Sequence, residues 1–220
     1  LMENLKKVQM HFGLPVQSHL SENQSEVAWV QELCPQSEFY GDAYDRFGLF
    51  GADCSTVMAH CVYSDVRERR RMKENGVYVA HCPESNMNLS SGIAPVRAFL
   101  NEGIPVGLGS DVAGGTSEDI FAAMAHAIQA SKLRWRLVDD TLKPLTAIEA
   151  FYLGTKGGGS FFGKVGSLEE GYEFDVLIVD DSAISSRDME VKERLERLIY
   201  LSGGAKIKGK YVAGKEIFWR

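Results

Sequence analysis

Positive charge is scarce in this chain: 24 Lys and Arg stand against 30 Asp and Glu, a formal charge of −6 over 220 residues. Without a basic surplus, nucleic acid and anionic membrane surfaces are not expected partners, and small substrates or proteins are expected instead. No uncharged apolar stretch reaches the roughly 18 residues of a spanning helix. The opening Leu1-Met-Glu-Asn-Leu-Lys-Lys-Val8 has neither an apolar signal core nor a cleavage pattern, so a cytoplasmic location is expected. Cysteine is also sparse. Cys34, Cys54, Cys61 and Cys82 form no Cys-x-x-Cys pair and are too few for a disulfide framework, which leaves reduced thiols. Phosphate-cradling loops of the GxxxxGK[ST] and GxGxxG types are missing, as is the GxSxG turn of serine hydrolases. No His-x-His occurs either.

What the chain does contain is an alternation of short apolar runs and helical spacings. Apolar residues at 1, 2, 5, 8 and 12 predict a helix that Gly13 ends. Leu14 to His19 reads as a strand, and Ser21 opens a predicted helix to about Leu33 with Val27, Val30 and Leu33 on its apolar face. Residues 34–55 form an aromatic-rich excursion too long for a plain connection, a candidate homodimer contact over 39–50. Next come a strand Thr56–His60, a very polar helix Ser64–Asn75 closed by Gly76, and a strand Val77–His81. A turn-rich segment Cys82–Gly92, a helix to about Asn101, a strand Ile104–Asp111 and a long helix from Glu118 to about Arg134 complete the series. Four such units predict an α/β fold with a parallel sheet and right-handed crossovers, half of a (β/α)8 TIM-type barrel. Beyond Pro144 a helix Thr146–Tyr152 runs into a Gly-rich stretch, and strands at 173–179 and 209–218 bracket a charged helix near 187–201. The second of these turns at Ala213-Gly214-Lys215, a hairpin signature. The expected division is therefore 1–160 for the half-barrel and 161–220 for a helix plus a small β appendage.

Three of the predicted strands stop on a side chain able to bind a metal or move a proton: His19, His60 and Asp111. Side chains just past the C-terminal ends of parallel barrel strands converge on one face. His19 and Glu22 lie three apart where strand gives way to helix, so the imidazole could ligate a metal while the carboxylate shuttles protons. Equally, Ser21 and Glu22 could serve only as a helix cap. His60 alone reads more often as a satisfied core histidine than as a site residue. Asp111, buried at a strand end, needs a partner or a metal. His81 ends its own strand, with a substrate contact and an Asx-type turn through Ser85, Asn86 and Asn88 both open. His11 and His126 fall on helices and read as surface or packing residues. A nitrogen and oxygen donor set suits Zn2+, with Fe2+ second, and catalytic zinc makes hydrolytic attack feasible near neutral pH.

Longer stretches carry a resemblance. Ser18-His-Leu-Ser-Glu-Asn23, Tyr44-Asp-Arg-Phe-Gly-Leu49, Ala80-His-Cys-Pro-Glu-Ser-Asn86 and Gly107-Leu-Gly-Ser-Asp-Val-Ala-Gly-Gly-Thr-Ser117 resemble the amidohydrolase superfamily. The match is to its branch of zinc aminohydrolases and chlorohydrolases, most closely the guanine deaminases. Val165-Gly-Ser-Leu-Glu-Glu-Gly-Tyr-Glu-Phe-Asp175 looks like that family's return into a β-sandwich. The resemblance implies barrel strands five to eight and one zinc per site. His19 would ligate it after strand five, and Glu22 would move protons to and from a purine ring. His60, after strand six, would orient the attacking water and approach the metal. Asp111, after strand eight, would be both ligand and acceptor of the water's proton. His19, Glu22, His81 and Asp111 would also meet the substrate. The implied reaction is hydrolysis of guanine to xanthine and ammonia, or its counterpart on another purine, a nucleoside thioether or a triazine. Ser110 stands where threonine is usual in the family, a change that keeps the hydroxyl. The family's His-x-His pair is absent, so further ligands are expected from sequence preceding Leu1, and the 220 residues alone are expected to be inactive. A non-catalytic half-barrel interaction module is the alternative from a different class.

Overall fold

The computed structural model describes residues 1–219. Helix α1 (Met2–Phe12) ends at Gly13, whose φ of 61° supplies a left-handed cap. β1 (Val16–Leu20) leads to α2 (Gln24–Leu33), and α3 (Asp42–Asp45) is one turn within the aromatic excursion. β2 (Thr56–His60) is followed by α4 (Val66–Asn75), β3 (Tyr78–His81) by α5 (Pro83–Asn88) and α6 (Val96–Glu102), and β4 (Val106–Leu108) by α7 (Ile120–Leu137). α8 (Ala147–Tyr152) runs into a π turn, Leu153–Gly157, and a 3-10 turn, Ser160–Phe162. β5 (Val176–Asp180), α9 (Val191–Leu201), β6 (Lys206–Val212) and β7 (Lys215–Trp219) form the tail. Among the described residues no helix is long and apolar enough to cross a membrane.

Strands β1 to β4 lie side by side in chain order and all run parallel, with Leu20 opposite His60 and His81 opposite Leu108. Parallel neighbours require a crossover, which the intervening helices provide. The tail strands make a separate antiparallel sheet with β6 in the middle. Ala213 and Gly214 both have positive φ, 48° and 74°, as a two-residue hairpin turn requires. Met58, Val79 and Val106 from the parallel sheet meet Phe50, Met72, Phe99, Ile128 and Leu153 in one core. Ile199 of α9 belongs to that same core, and Ser202 Oγ donates to Asp119 Oδ2 at 2.7 Å, so the tail helix is fastened to the main body. The Gly-rich stretch has a packing reason. A Cβ on Gly107 of β4 would lie 2.7 Å from Gly158 Cα, so strand and turn touch backbone to backbone.

Several expectations need correction. α2 starts at Gln24 because Asn23, not Ser21, is its cap: the Asn23 side chain accepts from Glu26 N at 2.8 Å. Of the expected apolar face of α2, Val27 and Val30 are half-buried, but Leu33 is 64% exposed. In the excursion Phe50 is fully buried, and Phe39, Tyr40 and Tyr44 are partly buried against the core. The turn-rich segment contains a helix, α5, opened by Pro83 in its first turn. β4 stops at Leu108, and after Gly109 N donates to His81 O at 2.9 Å the chain leaves the sheet, so Asp111 lies in a loop.

Candidate active site

The chain turns abruptly at the ends of β1 and β2 and in the loop after β4. Ser21, His60, Cys61 and Asp111 have φ of 46°, 70°, 50° and 47°, the left-handed region that residues with a Cβ seldom occupy. These turns aim side chains off the strand axes. His60 pairs in register with Leu20, yet its ring meets that of His19 edge-on, with centroids 4.9 Å apart. His19, Glu22 and His60 offer ligand atoms that all lie within 4.8 Å of one another. Asp111 approaches from the β4 side. Its Oδ2 is 3.9 Å from His60 Nε2, and Glu22 Oε2 is 3.7 Å from the same nitrogen. His19 and Glu22 from the end of β1, His60 from the end of β2 and Asp111 from the loop after β4 are thus brought to one place.

Their polarity is unbalanced. His60 Nδ1 donates to Asn86 Oδ1 at 2.9 Å, which in the neutral ring leaves the lone pair on Nε2. Nε2 is buried and has no hydrogen-bond partner among the described residues. It therefore forms, with Glu22 Oε2 and Asp111 Oδ2, a group of acceptors facing one another. Asp111, expected to be buried, is 31% exposed and its Oδ2 also accepts from Ser85, whereas the His60 nitrogen is fully buried. Such a buried acceptor is costly unless a cation or a proton lies beside it. Imidazole nitrogen with carboxylate oxygen is a donor set that suits zinc. The residues present thus fit a divalent cation at the mouth of β1 and β2.

His81 stands apart from the cluster. It is 2% exposed, and burial first, then the neighbouring His60, hold its pKa down at about 3, so it is neutral near pH 7. Cys82, the next residue, is pushed up to about 12 by burial and then by Asp111, so its thiol stays protonated.

Other contacts were not singled out in the sequence. Ser85 Oγ donates to Asp111 Oδ2 at 2.6 Å, and Ser91 Oγ donates to Glu22 Oε1 at 2.7 Å. The available signal was the density of Ser and Asn between Pro83 and Gly92, which reads as turn chemistry. Glu68, 1% exposed on the polar helix α4, accepts from Ser21 Oγ at 2.9 Å and from Gly41 N at 2.8 Å, and burial raises its pKa. Glu26 accepts from Glu22 N at 2.9 Å and from Tyr40 Oη at 2.8 Å. Tyr44 Oη donates to His19 O at 3.2 Å. The aromatic excursion therefore backs the loop that carries His19 and Glu22.

Comparison with known proteins follows the same lines. Residues 1–217 match the sequence model of the amidohydrolase family. The guanine deaminase of Mus musculus is 36% identical over 230 residues, 99% of this chain and 50% of its own length. The guanine deaminase of C. acetobutylicum, solved with guanine bound in its active site, superposes with a TM-score of 0.93 at 50% identity, covering 99% of this chain and 52% of that one. An adenosine deaminase from Xanthomonas campestris, solved with bound zinc, gives a TM-score of 0.83 at 26% identity, over 99% and 48% of the two chains. The chain spans about half the length of these relatives. With the family model matched over almost every residue and the strand-end cluster in place, the chain belongs to the amidohydrolase family.

Proposed function

We propose that this chain is part of a zinc-dependent aminohydrolase that converts guanine and water to xanthine and ammonia. The observation that carries the reading is the acceptor cluster of Glu22, His60 and Asp111 beside His19. The 50% identity to an enzyme solved with guanine bound supports the choice of substrate. His19 and Asp111 would hold the metal, and His60 aims Nε2 at the same point. When bound, zinc supplies the Lewis acidity that makes water a nucleophile near neutral pH. Asp111 takes a proton from the attacking water, which His60 aligns toward C2 of the purine. Glu22, entering protonated, gives that proton to the ring nitrogen through the oxygen that Ser91 leaves free. It then takes the proton of the hydroxyl now on C2 and passes it to the amino group, which leaves as ammonia, and the proton held by Asp111 returns to Glu22. His81 and the segment to Asn86 wall the pocket.

In this reading residues 1–160 form strands five to eight of a (β/α)8 barrel, and 161–220 supply a helix and part of a β-sandwich. The remaining strands, with a His-x-His pair, would belong to the rest of the polypeptide. The test is zinc analysis of the full-length polypeptide together with a guanine-to-xanthine absorbance assay. Glu22→Gln and Asp111→Asn are each expected to lower turnover at least about a hundredfold, the low end for acid–base catalysis. Zinc-loaded protein that ignores guanine but acts on another aminopurine or a triazine would replace the substrate and keep the chemistry. Protein that neither binds zinc nor turns over any of these would favour an interaction module.

A further inference from the structure

The segment from Ser85 to Ser91 lies outside the sheet, yet it touches site groups from three different strand ends. Ser85 holds Asp111 at 2.6 Å, Asn86 holds His60 at 2.9 Å, and Ser91 holds Glu22 at 2.7 Å. All three side chains are buried, at 0%, 1% and 3% exposure. The segment is braced by its own backbone: Leu89 N donates to Ser85 O at 2.9 Å and Ser91 N to Asn86 O at 2.8 Å. It is also pressed from outside. A Cβ on Gly92, at φ 131°, would lie 2.9 Å from both Tyr63 Oη and Val62 Cγ1, so the residues just past His60 abut the end of the segment. A Cβ on Gly114 would lie 2.7 Å from Ser85 Oγ, so the loop after β4 closes on the other end.

We propose that Ser85–Ser91 is a positioning clamp, in which Ser91 fixes the Glu22 carboxylate so that Oε2 alone faces the reacting space. The inference rests on the aminohydrolase reading above. A glutamate side chain has several rotors, and fixing it in one arrangement costs conformational entropy. The Ser91 hydroxyl, committed to Oε1, selects the arrangement in which Oε2 stands 3.7 Å from His60 Nε2. Proton transfer depends steeply on such placement, so a loosened carboxylate loses rate more than it loses substrate affinity. Asn86 acts on His60 in a parallel way, by keeping the lone pair on Nε2. Ser91 is thus a positioning residue that works through Glu22.

The test uses the zinc-loaded full-length polypeptide and the substrate it turns over. Ser91→Ala is expected to lower kcat by about 10- to 100-fold with KM within about twofold and zinc content unchanged, the pattern of an interaction needed for the chemical step. Ser91→Thr keeps the hydroxyl and is expected to recover most of that loss. In a Glu22→Gln background, Ser91→Ala is expected to cost less than about twofold more, because residues acting as one unit are not additive. Equal losses from Ser91→Ala in both backgrounds, or a Thr variant no better than Ala, would overturn the clamp and leave the aminohydrolase reading standing. A Glu22→Gln enzyme with wild-type turnover would overturn that reading, and the clamp with it.

Discussion

Arg97 and Glu149 show how single side chains join distant parts of this chain. Two guanidinium nitrogens reach the two carboxylate oxygens at 2.7 and 2.8 Å across 52 residues of sequence. The Arg97 hydrogen bonds hold the Glu149 pKa down at about 2, against an ordinary 4.5. A carboxylate depressed in the folded state stabilises the fold above its unfolded pKa and loses that contribution as pH falls through the folded one. Glu149→Gln is therefore expected to be less stable than wild type at neutral pH, with the difference shrinking between about pH 4.5 and 2; urea unfolding midpoints across that range would check it. No sequence pattern announces a pair 52 apart, and the same holds for Ser91 and Glu22, 69 apart. His19, His60 and Asp111 were legible because each closes an apolar run or lies just beyond one. Glu68 was not, since a buried carboxylate on a charged helix looks like any solvated one until the fold places Ser21 and Gly41 N beside it.

Elements differ in how far their own residues specify them. α4 is fixed locally: Asp65 accepts from Glu68 N at 2.9 Å at its start, and Gly76 with φ 65° closes it. Asp65→Ala is expected to cost about 1 kcal/mol of stability, measurable by denaturant titration, as loss of an N-cap usually does. β2 coincides with its apolar run because buried parallel strands read as continuous hydrophobic stretches. α5 could not be foreseen in the same way. A six-residue helix falls well short of the roughly 12 residues that make an isolated helix even marginal, so its tertiary contacts must sustain it. α2 differs again: of the apolar face its spacing suggests, Val27 and Val30 are half-buried and Leu33, at its end, is exposed.

Across the whole molecule, the parallel sheet ends in β1 on one side and β4 on the other, and every residue of α1 is at least partly exposed, with Leu5 at 46% and Phe12 at 65%. Stability of the full-length polypeptide should depend on the cation proposed for the strand mouths. Chelation is expected to lower its Tm, and added zinc to restore it, because a ligand that binds only the folded state stabilises by mass action; a Tm indifferent to chelator would argue against zinc at this site. The left-handed backbone at Ser21, His60, Cys61 and Asp111 has a further consequence. Each such residue costs on the order of 1–2 kcal/mol relative to relaxed backbone, so part of the molecule's durability is given up at the strand ends. Selection for heat tolerance alone would find early gains by relaxing those positions to glycine. At His60 and Asp111 that change would remove the imidazole and the carboxylate themselves, so hardiness and chemistry pull this fold in opposite directions at the same few residues.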